Sequence, residues 1–382
     1  MTSFLVFTVL VLIGIAVWQL TKIFDLTQIG STSADSEIAN DKDNSVNGYL
    51  MFAFVGFIYV FTIYSLYAWG DLVLGTPASE HGSDYDNLMG ISLALIFFVQ
   101  TFTQFLLHYF AFKYRGKEGQ KALYFADNNK LEAIWTIIPV IVLAGLIMYG
   151  LYTWNNIMFV DEEDKQDAIV IELYAKQFGW EARYAGDDKT LGKANVRLIE
   201  GINTLGVDLA DPAAQDDKVV TELHLPVGKK VIFKMRSQDV LHSAYMPHFR
   251  AQMNCVPGMI TQFSFTPTVT TADMRTDAAI VAKVDKINKI RTKNSAKIVA
   301  EGGTALDPYT FDYLLLCNKI CGSSHYNMQM KIVVDTPEEF KTWLSDKPTL
   351  AQQWKEANAP KPVETAVAPA VDSTKVVAQV IK

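Results

Sequence analysis

Cysteine is scarce in this sequence: Cys255, Cys317 and Cys321 are the three among 382 residues. An odd number with one close pair makes a poor disulfide framework and a better start for a metal site. An excess of positive charge is also missing. The formal net charge of -7 argues against a general nucleic-acid binder, which carries a basic footprint. Histidine is limited to six residues, and no Cys-x-x-Cys-His stretch occurs, so the signature of covalent haem is absent. Half of the residues are hydrophobic while 20% are charged. That mixture suggests two unlike parts.

Charge is missing from long stretches in particular. Tyr49 to Trp69 and Leu88 to Phe112 contain no Asp, Glu, Lys or Arg, and Ala133 to Trp154 is similar. Each reaches the roughly 20 residues a helix needs to cross about 30 Å of hydrocarbon. Phe4 to Leu20 is a shorter run. No basic residue precedes it and no small-residue cleavage site follows, so an uncleaved span is expected rather than a signal peptide. The reading is a membrane anchor over residues 1–154 with three to four helices, at about 4–20, 49–69, 88–112 and 133–154. Lys113, Arg115, Lys117, Lys121 and Lys130 lie between the last two runs, whereas Gly70 to Asn87 has neither Lys nor Arg. The positive-inside rule then places everything after Trp154 outside the cytoplasm. Trp135 and Trp154 suit interfacial anchors, and His108 is expected to satisfy a local hydrogen bond.

Beyond Trp154 the pattern changes to short strands. Ala168–Leu173, Val219–Leu225, Lys230–Met235, Ile260–Phe265, Tyr313–Leu316 and Ile332–Val334 are rich in Val, Ile, Leu and aromatics. Turn signals at Pro226-Val-Gly228 and Pro257-Gly258 separate them, which predicts an all-β sandwich or barrel over 155–340. Two insertions interrupt it: a loop-like stretch at about 186–218, whose Asp208 to Asp217 cluster reads as a surface loop, and a basic stretch at about 273–303. Residues 341–382 read as a flexible polar tail. Cys255 reads as a small buried residue.

The stretch Cys317-Asn-Lys-Ile-Cys321-Gly-Ser-Ser-His325-Tyr-Asn-Met328 gathers two thiols, an imidazole and a thioether within a dozen residues. That set suits a soft, redox-active metal, and copper fits best. His242, upstream in Asp239-Val-Leu-His242-Ser, is expected on a loop just past a strand, where a sandwich can bring it beside the first loop. Cys321, His325, Met328 and His242 alone would describe one copper; Cys317, four residues before Cys321, allows two sulfurs to bridge two copper ions. A disulfide leaves the histidines and Met328 without a role, and zinc takes thioether poorly.

The pattern C-x-x-x-C-G-x-x-H-x-x-M with an upstream D-V-x-H-S resembles the binuclear copper signature of cytochrome c oxidase subunit II. Leu131-Glu-Ala-Ile-Trp-Thr-Ile-Ile-Pro139 is similar to the stretch opening that family's second helix. Tyr174-Ala-Lys-Gln-Phe-Gly-Trp180 loosely matches its Q-W-x-W region. The resemblance implies a cupredoxin-like Greek-key sandwich behind transmembrane helices, on the periplasmic side of a bacterial cell membrane. It implies that Cys317 and Cys321 bridge both coppers, with His242 and Met328 completing one ion and His325 with the Lys319 carbonyl the other. Electrons would come from cytochrome c and pass to haem in subunit I, where oxygen is reduced to water with proton translocation.

The same resemblance makes Phe178 and Trp180 the region where electrons arrive, Glu132 the mouth of a proton path and Asp239 a docking residue for cytochrome c. Lys319 stands where the family has Glu and Asn254 where an acid is common, which puts the family's magnesium ion at the subunit I boundary in doubt. A quinol-oxidase subunit would lack the copper ligands. A nitrous-oxide reductase would need a histidine-rich second domain. A membrane-anchored copper carrier would be expected to exchange its metal.

Overall fold

The computed structural model describes residues 2–29, 40–70, 73 and 75–359. The chain forms two units, Met1–Val73 with Asp86–Tyr152, and Leu74–Tyr85 with Thr153–Lys382. Four helices carry the apolar runs: α1 (Thr2–Ile29), α2 (Asp41–Trp69), α3 (Gly82–Lys113) and α4 (Asn129–Met158). Among the described residues, these four are long and apolar enough to cross a membrane. Each extends beyond the apolar run that announced it. The Asn40 side chain accepts the Asp43 N–H at the start of α2, satisfying a donor the first turn leaves open. In this unit the Phe112 ring of α3 packs on Tyr49 and Phe52 of α2. His108 is buried, with Nδ1 2.8 Å from the Gln104 carbonyl.

The second unit begins its regular structure with a short helix, α5 (Glu162–Asp167), followed by ten strands among the described residues. They are β1 (Ile169–Lys176), β2 (Gly179–Tyr184), β3 (Lys218–Val220), β4 (Leu223–Pro226), β5 (Val231–Ser237), β6 (His242–Met246), β7 (Ala251–Cys255), β8 (Thr261–Phe265), β9 (Tyr313–Cys317) and β10 (Gln329–Asp335). One sheet runs β3-β2-β1-β5-β8 and the other β4-β10-β9-β6-β7. Side chains alternate across each strand. Ile171 and Leu173 from β1, Phe233 and Met235 from β5, Ala244 from β6 and Tyr313 and Leu315 from β9 therefore meet in one core. The expected order, apolar helices followed by a sheet-rich domain, is present.

The turn signals act as expected. At Pro257-Gly258 the Met259 N–H reaches the Val256 carbonyl, and Gly258 has φ +77, a left-handed value that glycine adopts without a Cβ clash. Part of the loop between α2 and α3 belongs to this unit. Ala78 N–H donates to the His248 carbonyl, Ser79 Oγ to the Phe249 carbonyl and Thr268 N–H to the Ala78 carbonyl.

Two readings need correction, and the basic insertion gains a structure. The 186–218 stretch is loop-like, but it is not a plain surface loop. Leu205, Val207 and Ala214 form a second small core with Tyr174 and Leu350. Asp217 is fully buried and pairs with Arg183 at 2.8 Å. The basic stretch folds as α6 (Thr271–Met274) and a 23-residue helix, α7 (Ala278–Ala300).

The second correction concerns the tail. Residues 341–357 are ordered in α8 (Pro337–Ser345) and α9 (Leu350–Ala357), each opened by a capping box, Thr336 with Glu339 and Thr349 with Gln352. Phe340 and Leu350 are buried, which supplies the packing such short helices need. Residues 360–382 of the expected tail lie outside the described residues.

Candidate metal centre

Strand pairing brings the candidate ligands together. β6 and β9 run antiparallel with Ala244 opposite Cys317, so His242 at the start of β6 lies near Cys317 at the end of β9. Sequence reading placed His242 on a loop; it is instead the first residue of β6, paired with Cys255 on β7. The ligand loop leaves β9 at Cys317 and closes on itself, since Cys317 N–H donates to the Met328 carbonyl. Asn318 N–H donates to the Ser243 carbonyl and ties the loop to β6.

The donor atoms converge. The Cys317 and Cys321 sulfurs are 3.9 Å apart, and both thiols are free, so the disulfide reading does not hold. Cys317 Sγ lies 3.7 Å from His242 Nδ1 and 3.2 Å from the Lys319 carbonyl oxygen. Cys321 Sγ lies 3.6 Å from His325 Nδ1 and 3.8 Å from Met328 Sδ. The ligand atoms of His242, Cys317 and Cys321 all fall within 4.8 Å of one another. His242, Cys317, Cys321 and Met328 are buried, while Lys319 is exposed. Only the carbonyl of Lys319 faces the cluster, a role any residue type can fill. Two thiols, two imidazole nitrogens, a thioether and a carbonyl form a soft donor set that fits copper.

Burial, followed by the neighbouring Cys317 thiol, pushes Cys321 up to about 11. A thiophilic metal binding there must displace that proton. Cys255 is pushed up to about 12 by burial and is a small core residue, as the sequence suggested.

A second layer of contacts orients these donors. His242 Nε2 lies 2.8 Å from Asp239 Oδ1, which leaves Nδ1 turned to the sulfurs. A carboxylate behind a ligating imidazole fixes its tautomer and orientation. Burial raises the Asp239 carboxyl, but hydrogen bonds from His242 and from the Gln177 and Val240 N–H groups outweigh it and hold it below its ordinary value. Sequence reading gave Asp239 a docking role for cytochrome c; the residue is exposed, and its carboxylate also engages His242 and Gln177.

Phe178 sits in the two-residue turn between β1 and β2, about a third exposed (38%). Its ring lies against Gly322, where an added Cβ would come within 2.8 Å of it. Trp180 is buried, its ring 6.3 Å from that of His242. Glu132 lies in the first turn of α4 with an exposed side chain, in the other unit. Gln177, which the sequence offered only as part of an aromatic stretch, is the residue this layer adds.

Comparison with known proteins agrees with this picture. The family model for the cytochrome c oxidase subunit II transmembrane domain matches residues 67–153, and that for its periplasmic domain matches 169–273. The second match stops just ahead of α7, so Cys317 to Met328 lies beyond it. An alternative cytochrome c oxidase subunit 2 of Bradyrhizobium diazoefficiens is 32% identical over 72% of this chain and 84% of its own length. Cytochrome c oxidase subunit 2 of Thermostichus vulcanus is 25% identical over 73% of this chain and 80% of its own.

The crystal structure of the periplasmic domain of subunit II of cytochrome oxidase from Bradyrhizobium japonicum covers 46% of this chain and 91% of its own, at 18% identity and a TM-score of 0.26. At that score the fold rests on the sheet order above rather than on the superposition. With both family domains matched in order and a relative followed over most of its length, the chain belongs to the cytochrome c oxidase subunit II family.

Proposed function

We propose that this chain is the electron-accepting subunit of a respiratory haem-copper oxidase, with a binuclear copper centre at Cys317, Cys321, His242, His325, Met328 and the Lys319 carbonyl. The observation that carries the reading is the convergence of two free thiols 3.9 Å apart, each with an imidazole nitrogen within 3.7 Å. A thioether and a carbonyl oxygen complete the set. Two copper ions held there would supply a one-electron store shared between metals, which lowers the reorganisation each transfer requires.

The chain's own residues do the positioning. The β6 and β9 ladder holds the two ligand segments in register, and the Asp239 carboxylate keeps the His242 imidazole turned inward. Burial of Cys317, Cys321 and Met328 excludes water from the thiolate side. Phe178 on the rim, with the buried Trp180, is the proposed contact for cytochrome c. Electrons would leave toward haem in subunit I, where oxygen is reduced to water. Glu132 is proposed at the mouth of a proton path, as ionisable residues at helix ends within membranes often are. The domain then lies on the periplasmic side of a bacterial cell membrane.

The test is an EPR and visible spectrum of the full-length chain in detergent, loaded with copper. Hyperfine structure from one electron shared over two copper nuclei, lost in Cys317→Ser, is expected. A single-copper signal indifferent to that substitution overturns the reading and leaves a mononuclear copper carrier.

A further inference from the structure

The two ligand-bearing segments belong to different parts of the chain, yet one residue from outside both touches each of them. That residue is Gln177, in the turn between β1 and β2 and therefore on the opposite sheet from β6 and β9. Its backbone N–H donates to Asp239 Oδ2 at 2.7 Å, and Asp239 Oδ1 in turn holds His242 Nε2 at 2.8 Å. Its side-chain amide donates to the backbone carbonyl of Cys321. The turn is itself fixed: Gln238 N–H donates to the Ala175 carbonyl at 2.9 Å, closing the β5–β6 connection against β1.

The geometry points to Gln177 as a positioning residue, a clamp that locks the His242 segment and the Cys317–Met328 loop into one spacing. The inference rests on the copper reading given above. One end of the side chain fixes the peptide carbonyl beside Cys321 Sγ. That peptide leads into Gly322, whose φ of +145 lies outside what side-chain-bearing residues favour. Left unheld, rotation at this joint would carry Cys321 Sγ away from Cys317. The other end, through the backbone and Asp239, sets the imidazole of His242. A neutral amide suits the task because it donates to a carbonyl without adding charge beside the thiols. Gln177 thus reaches both sulfur–imidazole pairs without supplying a donor atom to the metal.

The test uses the full-length chain in detergent, loaded with copper, and compares Gln177→Met with wild type. Methionine keeps the length of the side chain and removes its N–H donor. Gln177→Asn keeps the amide but is one methylene short of the Cys321 carbonyl, and serves as a second variant if the first does not fold. Lys176→Gln, one residue back at the end of β1, is the control.

Three quantities are read: the copper hyperfine pattern, the reduction potential, and the rate of copper loss to a cuprous chelator. Either clamp variant is expected to hold copper about 10- to 100-fold more weakly, the usual cost of losing a contact that orients a ligand. The hyperfine pattern and potential should change with it, while Lys176→Gln matches wild type. Wild-type spectrum, potential and retention in a folded clamp variant overturn the clamp. Absence of the shared-copper pattern in wild type itself overturns the copper reading instead.

Discussion

Replacing Arg183 by methionine should destabilise the β-domain far more than an ordinary surface change. Arg183 is 2% exposed. Its Nε lies 2.6 Å from Glu172 Oε2, and its Nη1 lies 2.8 Å from Asp217 Oδ2 and 2.9 Å from the Gly192 carbonyl. The two carboxylates would not suffer equally. Glu172 keeps a second cation, Arg236, whereas Asp217 keeps only the Gly192 N–H at 3.0 Å. Stripping one partner from a buried pair costs about 3–5 kcal/mol.

Proton uptake limits the loss at Asp217. Burial already pushes that carboxyl from 3.8 up to about 6 against the pull of Arg183, so keeping it ionised costs about 3 kcal/mol above pH 6. The sign follows from linkage. A carboxyl raised in the folded state binds its proton more tightly there, so its penalty is complete above the folded value and fades as pH falls toward 3.8. Wild type should therefore recover stability from this group between pH 7 and pH 4. In Arg183→Met the recovery should begin at higher pH and be larger.

Urea unfolding of the full chain in detergent, followed by tryptophan fluorescence at several pH values, measures both effects. Adding Asp217→Asn to Arg183→Met should restore more than half of the loss. A loss below about 1 kcal/mol at pH 7, within the range of an exposed ion pair, would refute the account. So would a double variant no more stable than the single one.

Three further outcomes follow from the site. Gly322→Ala should cost about 1–3 kcal/mol, because its backbone angle is strained for alanine and the new Cβ would lie 2.8 Å from the Phe178 ring. Melting of the copper-free chain measures it, and adding Phe178→Ala should relieve only the steric part. Phe178→Leu should slow reduction by cytochrome c while leaving the copper spectrum intact; an unchanged rate in stopped-flow mixing would remove Phe178 from the proposed electron path. Glu132→Gln in the assembled oxidase should lower turnover with no change in the copper signal, and full turnover with full proton translocation would show the residue to be a plain helix-end acid.

What the sequence made legible, and what it hid, divides by how local the cause is. The apolar runs announced the helices because composition alone sets the length a bilayer requires. Pro257-Gly258 announced its turn because glycine's backbone freedom is a property of one residue. The motif around Cys317, Cys321, His325 and Met328 was visible because those donors share one loop. β2, β6 and β7 were harder to see. β2 alternates Trp180-Glu-Ala-Arg-Tyr184 with strand period but over too few residues to stand out, and β6 reads His-Ser-Ala-Tyr-Met with little β-branched character; β2 and β6 form with a paired strand on each side, and β7 forms as an edge strand on β6.

The two layers around the site depend still more on distance along the chain. Gln177 meets Cys321 across 144 residues and Asp239 across 62, and Arg183 meets Asp217 across 34. No spacing rule connects such pairs, and an isolated Gln or Asp is most often a solvated surface group. The helices α8 and α9 are the intermediate case. Their capping boxes were written in the sequence as Thr336-Pro-Glu-Glu339 and Thr349-Leu-Ala-Gln352, but helices of nine and eight residues are marginal on propensity alone. Their order depends on Trp343 stacking on His224 and on Leu350 N–H reaching the Asp217 carbonyl. The backbone of Asp217 thus holds the start of α9, and Arg183→Met, by unsettling the segment that carries Asp217, should loosen α9 before it disturbs the donors at Cys317 and Cys321.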